Sequence, residues 1–365
     1  MTSPDPPSAS AAGRSQTGSC GAILGIESSC DETAAAVVTD GRVLSSVVAS
    51  QHELHAQYRG VVPEIASRAH AERIEPIIAE ALGQAGVGPW QLAAVAVASR
   101  PGLIGSLLVG VSAAKAIAWA TGARFLPVDH LRAHLAATEL APVGLPPPPP
   151  PALPALGLVV SGGHTSMSII DAPGAPLRTI GSTRDDAAGE AYDKLAAILG
   201  LPYPGGPVVD RLAAAGDPAR FELPLARLGP GSLDFSFSGL KTAALYLRRG
   251  LAQAGPLDHQ TLCDLCAGFQ RAAVGALLLK LGRALDQHPA CVSVLIGGGV
   301  ACNSALRAGA ADLARNRGLA LRIPPPEFCL DNAAMIAAAG AHALHAPATA
   351  DDLAASASPT APRAG

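Results

Sequence analysis

Aromatic residues are scarce, 3% of 365 positions, so few rings are available to stack bases, and a stand-alone nucleic-acid binder is not the first reading. Charge is also sparse, at 15% of residues with a net −3, which excludes a strongly basic surface over the whole chain. A regular cysteine framework is missing: the seven cysteines are odd in number and irregularly spaced. No signal peptide opens the chain, and together these features lead us to expect a reduced, cytoplasmic compartment. The lone C-x-x-C, Cys263 and Cys266, has no second pair to complete four ligands, so it reads as helix packing and not as a closed zinc site. The apolar run from Leu103 to Ala120 holds Lys115 and several Gly and Ser residues between turn signals. It reads as a buried helix, not a membrane span.

What is present is 49% hydrophobic residues, mostly Ala, Val and Leu, which suits close packing of helices on sheets. The length suffices for two lobes. Charge is uneven, since residues 211–330 carry 13 Lys and Arg against 8 Asp and Glu, and this half is the one able to face a phosphate backbone.

Residues 1–20, rich in Pro, Ser, Gly and Ala without periodicity, read as a disordered tail. Ala22 to Glu27 then reads as a buried strand, Ser28 to Thr33 as a tight polar turn, and Ala34 to Val38 as the returning strand. The same plan recurs at Leu156 to Val160, Ser161-Gly162-Gly163-His164-Thr165, and Ser166 to Ile170. Two hairpins of one design suggest a duplicated fold, and their Gly and Ser tips expose backbone N–H groups suited to phosphate oxygens. Between them, Val62 to His70 leads into a helix through Leu82, and Leu92 to Ala98 reads as a strand that Arg100-Pro101-Gly102 turns into the apolar helix. This strand and helix order predicts an α/β protein. Residues 141–154 are mostly proline and uncharged, which predicts an exposed, extended loop before the second lobe.

Asp185 to Lys194 reads as a helix with Asp186, Glu190 and Asp193 on one face, either a functional face or a solvated one. Pro204 to Asp210 looks too rich in turn residues to be regular. The paired glycines Gly205 and Gly206 there expose backbone that can approach a ligand closely, and Asp234 to Thr242 follows as a further segment. Val292 to Ile296 is a buried strand running through Gly297-Gly298-Gly299 to Asn303 and a helix, a general form of nucleotide contact. Asp331 precedes a helix from Ala333 to about His345 and could be only its N-cap.

The most telling stretch is Pro127 to His134. Asp129 reads as an N-cap, which puts His130 and His134 one turn apart on one helix face, near a positive helix end that favours the neutral ring a metal requires. The plain alternative is two solvent-facing histidines.

Together these stretches closely resemble the tRNA N6-adenosine threonylcarbamoyltransferase family, formerly called glycoprotease-like, within the actin, sugar-kinase and Hsp70 superfamily. The likeness runs from about Gly21 to Ala343 through Gly25 to Thr33, Val62 to His70, the histidine pair, Val160 to Thr165, Asp185 to Lys194, Pro204 to Pro207, Asp234 to Thr242, Gly298 to Val300, Asn303, and Pro326 to Cys329 with Asp331-Asn332. It implies an α/β fold of two actin-like (RNase H-like) lobes with an interlobe nucleotide cleft. The first lobe would comprise residues 21–140 and 331–346 and the second 155–330, leaving 347–365 as a flexible tail.

The resemblance further implies transfer of a threonylcarbamoyl group from threonylcarbamoyl-adenylate to N6 of adenosine 37 in tRNAs reading codons that begin with A. His130, His134 and Asp331 would bind one divalent ion, iron foremost and zinc as the alternative. Val159, Val160, Ser161, Gly162, Gly163, Asp193, Gly206, Asp210 and Asn303 would hold the adenylate. A non-catalytic actin-like paralogue and a small ATPase would be partners, beside tRNA. Glu32, at the first hairpin tip, is a candidate general base. Arg100 stands where the family has glycine, Arg132 where an acidic residue is common, and the prolines of 146–151 look like an insertion.

The rival readings are a metal-dependent peptidase, a non-catalytic partner subunit and a sugar kinase. Zinc peptidases with two helical histidines use H-E-x-x-H, and here Leu131 occupies the position of the base. A non-catalytic subunit has no use for the three candidate ligands. The first hairpin tip also lacks the D-x-G-T sequence usual in sugar kinases.

Overall fold

The structure, a computed structural model, describes residues 21–58, 60–225, 228–252, 256–344 and 352–360. The expected disordered tail at 1–20 lies outside these residues. Ten strands form two five-stranded sheets. The first contains β1 (Ala22–Glu27), β2 (Glu32–Thr39), β3 (Arg42–Ser50), β4 (Leu92–Arg100) and β5 (Arg124–Asp129), in the order β3-β2-β1-β4-β5. The second contains β6 (Ala155–Val160), β7 (Thr165–Ile170), β8 (Arg178–Ser182), β9 (Ser293–Gly297) and β10 (Ala320–Arg322), in the order β10-β9-β6-β7-β8.

The two sheets are copies of one plan. In each, the first strand pairs antiparallel with the second and the second with the third, while the first pairs parallel with the fourth and the fourth with the fifth. Both expected hairpins are therefore present at corresponding places. Burial follows the sequence: Ile23, Leu24 and Ile26 of β1 and Leu156, Leu158 and Val160 of β6 are almost wholly inaccessible, as expected of central strands covered on both faces.

Among the described residues ten α-helices complete the lobes: α1 (His52–Ala56), α2 (Pro63–Ala85), α3 (Ile104–Thr121), α4 (His130–Ala136), α5 (Ala188–Leu199), α6 (Gly205–Ala213), α7 (Ser238–Ala252), α8 (His259–Gln287), α9 (Ser304–Asn316) and α10 (Ala333–Leu344). Helix α10 returns to the first sheet, where Ala333, Ala337 and their neighbours pack with Ile23, Ala36 and Ala96. It lies so close that a Cβ on Gly25 would collide with the Ala333 carbonyl oxygen, which explains the glycine in the middle of a buried strand. Within the span expected to be a flexible tail, residues 352–360 lie against the first lobe, where Ser358 N donates to Ser99 O at 2.8 Å.

Three local expectations change. Pro204 to Asp210 is not irregular, because α6 begins at Gly205. Pro204 takes the extended N-cap conformation, Asp193 Oδ1 accepts from Gly205 N at 2.7 Å, and Pro207 falls in the first turn, where its missing N–H costs no hydrogen bond. The helix expected from Asp185 starts only at Ala188, because Asp185 instead accepts from Phe237 N at 2.8 Å and from the Ser236 and Ser238 hydroxyls. Helix α3 buries only one face, through Ser106, Leu107, Gly110 and Val111, and leaves Ile104, Leu108 and Trp119 exposed. Helix α8, equally apolar, is buried over most of its length, with Cys263 and Cys266 packed inside as expected. The proline-rich loop has no regular structure, yet Pro150 and Pro151 line a cavity with Arg132, Leu135, Ile170 and Leu295.

Candidate metal centre and adjoining cleft

Strand β5 delivers the chain directly into α4. Asp129 caps it as expected, its Oδ1 accepting from Leu131 N at 3.0 Å and Arg132 N at 3.2 Å. Arg100, the departure at the preceding turn, reaches back to the same cap, with Nε 3.5 Å from Asp129 Oδ2. His130 and His134 are buried, which removes the reading of two solvent-facing rings.

Asp331 meets them from the far end of the sequence. Its Oδ1 lies 3.6 Å from His130 Nε2 and 3.2 Å from His134 Nε2. It is free to do so because the helix cap is its neighbour: Asn332 Oδ1 accepts from Met335 N at 2.9 Å. The three side chains offer ligand atoms all within 4.8 Å of one another, so the group could hold a metal ion.

Glu27, at the end of β1, was not singled out by the sequence. Its Oε2 sits 2.9 Å from His130 Nδ1. A carboxylate only accepts, so that nitrogen carries a proton, which leaves Nε2 as the nitrogen facing Asp331. This is the carboxylate–imidazole arrangement that orients metal ligands. The only sequence signal was an acidic residue closing an otherwise apolar strand.

The electrostatics call for a cation. Burial opposes a charge on His130, but the carboxylates of Glu27 and Asp331 outweigh it and raise its pKa to about 9. Burial likewise opposes ionisation of Asp331, yet the charges of His130 and His134 hold its carboxyl below the usual range. Both ring nitrogens of His134 are buried without a hydrogen bond. His134 Nε2 facing the Asp331 carboxylate at 3.2 Å, with the Glu27 carboxylate behind His130, fits an ion at this position. Glu32, on the adjoining hairpin tip, is pushed up to about 10 by burial and by the charges of Asp331 and Asp31.

The second lobe supplies the adjoining wall. Val159 and Val160 have buried side chains and end β6, the central strand of the second sheet. Ser161-Gly162-Gly163 forms the following turn, closed by Ser161 N donating to His164 O at 2.7 Å and His164 N donating to Ser161 Oγ at 3.1 Å. A Cβ on Gly162 or Gly163 would meet nothing within 4 Å, so their backbone is open to an incoming ligand. Gly298, at φ 94°, lies against Val160, where any side chain would strike its carbonyl.

Asp210 and Asn303 are brought together. Asp210 Oδ1 accepts from Asn303 Nδ2 at 3.1 Å, Gln270 Nε2 at 3.0 Å and Ser304 Oγ at 2.8 Å. Asn303 Oδ1 in turn caps α9 through Leu306 N at 2.9 Å. Gly206 lies in the first turn of α6 with open space above it, and Asp193 is tied to that same turn through Gly205. Burial raises the Asp193 carboxyl above its ordinary range. Gln270, from buried α8, was missed because nothing in an apolar helix distinguishes one glutamine.

Residues 42–338 match the TsaD family model, described as tRNA N6-adenosine threonylcarbamoyltransferase. The protein of that name from Anaeromyxobacter dehalogenans is 54% identical over 324 residues, covering 88% of this chain and 94% of its own. That from Sorangium cellulosum is 52% identical over 326 residues, covering 87% and 90%. Among solved structures, full-length HypF in its phosphate- and nucleotide-bound form superposes with a TM-score of 0.55 at 13% identity over 89% of this chain and 55% of that one. T. kodakarensis HypF gives 0.52 at 14% identity over 91% and 49%. At such identities these two likenesses concern the fold alone. The family model and the relatives carry more: this chain belongs to the tRNA N6-adenosine threonylcarbamoyltransferase family.

Proposed function

We propose that this chain transfers the threonylcarbamoyl group from threonylcarbamoyl-adenylate to N6 of adenosine 37 in tRNAs reading codons that begin with A, releasing AMP. The observation that carries the reading is the meeting of His130, His134 and Asp331, in a chain of this family. In the reaction the N6 nitrogen bonds to the carbamoyl carbon, the bond from that carbon to the adenylate oxygen breaks, and the amine loses a proton. An exocyclic amine is a weak nucleophile, so positioning must supply much of the rate.

Within this reading His130, His134 and Asp331 hold one divalent ion, Fe(II) foremost, since two imidazoles and one carboxylate suit Fe(II) or Zn(II) better than Mg(II). The ion, when bound, would act as a Lewis acid toward a carbamoyl or phosphoryl oxygen. Glu27 fixes the His130 ring, and the open turn at Ser161, Gly162 and Gly163 offers backbone N–H groups to the adenylate phosphate. Val159 and Val160 hold that turn at the end of β6, while Asp193, Gly206, Asp210 and Asn303 line the adenosine side. The lobes divide as 21–140 with 331–346, and 155–330.

The partners proposed are tRNA, a non-catalytic actin-like paralogue and a small ATPase. The exposed apolar Ile104 and Leu108 of α3, among small Gly and Ser residues, support a protein partner on that face. The described cysteines are free thiols, in keeping with a cytoplasmic setting. The test is to incubate purified protein with the adenylate, unmodified tRNA and the partner subunits, then digest the tRNA for nucleoside mass spectrometry. Threonylcarbamoyladenosine should appear at position 37. Its absence, with metal-dependent peptide cleavage instead, would favour the peptidase reading.

A further inference from the structure

We propose that the outer face of α7, through Tyr246, Arg248 and Arg249, binds the phosphate backbone and stacks one base of the tRNA substrate, an inference that rests on the proposed function and locates its RNA. The helix has two unlike sides. Leu240 and Ala244 are buried, and Leu247 and Leu251 pack with them on the core of the second lobe. On the other side Thr242, Tyr246 and Arg249 are exposed, at spacings of four and three residues that put them in one row. Arg248 flanks that row, one turn and three residues beyond Lys241. The helix carries these three cations and no carboxylate.

Most of the positive balance of residues 211–330 is neutralised elsewhere or turned inward. Arg220 pairs with Asp264, Arg315 with Asp312 and Arg317 with Asp286. Lys280 is buried and donates to Ser232 O, and Arg307 donates to Pro324 O at 2.9 Å. Lys241 Nζ lies 3.2 Å from Asp186, so the first turn of α7 is balanced too. Arg248 and Arg249 differ: neither has an ion pair among the described residues, and Arg248 Nε is buried without a hydrogen-bond partner. Two adjacent guanidinium groups without acceptors suit anionic oxygens, which they bind as planar forks.

The ring between them favours RNA over an acidic protein. Only 3% of the chain is aromatic, yet Tyr246 is 65% exposed beside these arginines. A cationic row with an exposed ring offers a backbone contact and a stacking surface together. The position fits as well. Ser161 O, in the open glycine turn, accepts from Gly189 N of α5 at 3.2 Å, and Asp185, just before that helix, accepts from Phe237 N and the Ser238 hydroxyl at the start of α7. Helix α7 therefore starts next to the segment that follows the turn, and the two arginines stand about 15 Å further along its axis. RNA whose reacting base lies by the turn can lay its neighbouring strand on this face.

The test measures binding of unmodified tRNA to the full-length protein over a range of salt, without adenylate. In the double variant Arg248→Gln, Arg249→Gln the affinity should fall about tenfold or more at low salt, and the slope of log affinity against log salt should flatten by about 1.5. Tyr246→Ala should bind about fivefold more weakly, and Tyr246→Phe, which keeps the ring, should bind like wild type. Arg315→Gln, an exposed arginine of α9, should change neither quantity. Unchanged affinity and slope in the double variant would overturn the proposal, as would an equal loss in Arg315→Gln or wild type that binds no tRNA. A double variant that binds RNA normally but no longer assembles with the partner subunits would overturn it in favour of an acidic protein. Tyr246→Ala binding like wild type would overturn the stacking contact. Formation of threonylcarbamoyladenosine by wild type is scored separately, so a failure of transfer and a failure of this face are read from different samples.

Discussion

At the scale of single residues, Glu27 decides how well the three ligands are held. Replacing it by Gln keeps the shape but removes the charge that fixes the His130 proton on Nδ1. Second carboxylates of this kind are worth about 10–100-fold in metal affinity, so Glu27→Gln should weaken binding by that factor in a competition with a chelator, with the fold intact by circular dichroism. Undiminished affinity would mean that the contact only fills space. Asp210 holds the other wall. Asp210→Ala would leave Gln270 Nε2 and Ser304 Oγ without their acceptor and would remove one of the bonds of Asn303 Nδ2. We expect a loss of about 1–3 kcal/mol in urea unfolding, together with a raised KM for the adenylate. A raised KM without destabilisation would show that Asp210 serves only the ligand.

Among the elements, helix α2 is bolted to the first hairpin through His70. Its Nε2 lies 3.0 Å from the Cys30 carbonyl, which can only accept, so Nδ1 accepts from the Thr33 hydroxyl at 2.7 Å. Burial lowers the His70 pKa, although the Cys30 carbonyl and the charges of Glu27 and Asp31 pull upward and Arg73 pushes down. Above about pH 6.5, the ordinary value, the ring is neutral folded and unfolded, and its contribution is complete. As pH falls below that value the unfolded chain takes up the proton first, so stability drops until the lowered folded pKa is passed. Urea unfolding from pH 7.5 downward, compared with His70→Gln, should show an extra acid loss only in the chain with His70; parallel curves would refute it. The proline loop should behave oppositely. Removing residues 146–149 spares Pro150 and Pro151 at the cavity and should change stability by less than about 1 kcal/mol, read from the melting curve; a larger fall would mean that the loop packs on a lobe. Much of this level was legible in the sequence. Strands β1, β2, β4, β6, β7 and β9, both hairpins and the Asp129 cap follow from periodicity and local chemistry, whereas β3, β5, β8 and β10 were not read. Helix α6 did not, because its start depends on Asp193, twelve residues earlier, receiving the Gly205 N–H. Nor did Glu27 or Gln270, whose meaning comes from contacts with residues 103 and 33 positions away.

The whole molecule is one strand plan used twice, with α10 carrying the chain back from the second lobe to the first. That return places Asp331 about 200 residues from His130 in sequence and in contact with it in space. The duplication could be read from two similar hairpins, but which late residue reaches the histidines could be named only through resemblance to a family. The mild positive balance of residues 211–330 and the shortage of aromatic rings lead us to expect weak tRNA binding by the chain alone. The central claim is that the ligand group formed by this return is what transfer depends on. It is tested most directly by measuring, on the same samples of wild type and Asp331→Ala, bound metal and single-turnover transfer from supplied adenylate to tRNA with the partner subunits present. Loss of metal accompanied by a fall in transfer of roughly a hundredfold or more is expected, given the several kcal/mol a metal contributes to such a transition state. A metal-free Asp331→Ala protein that transfers at the wild-type rate would contradict the account.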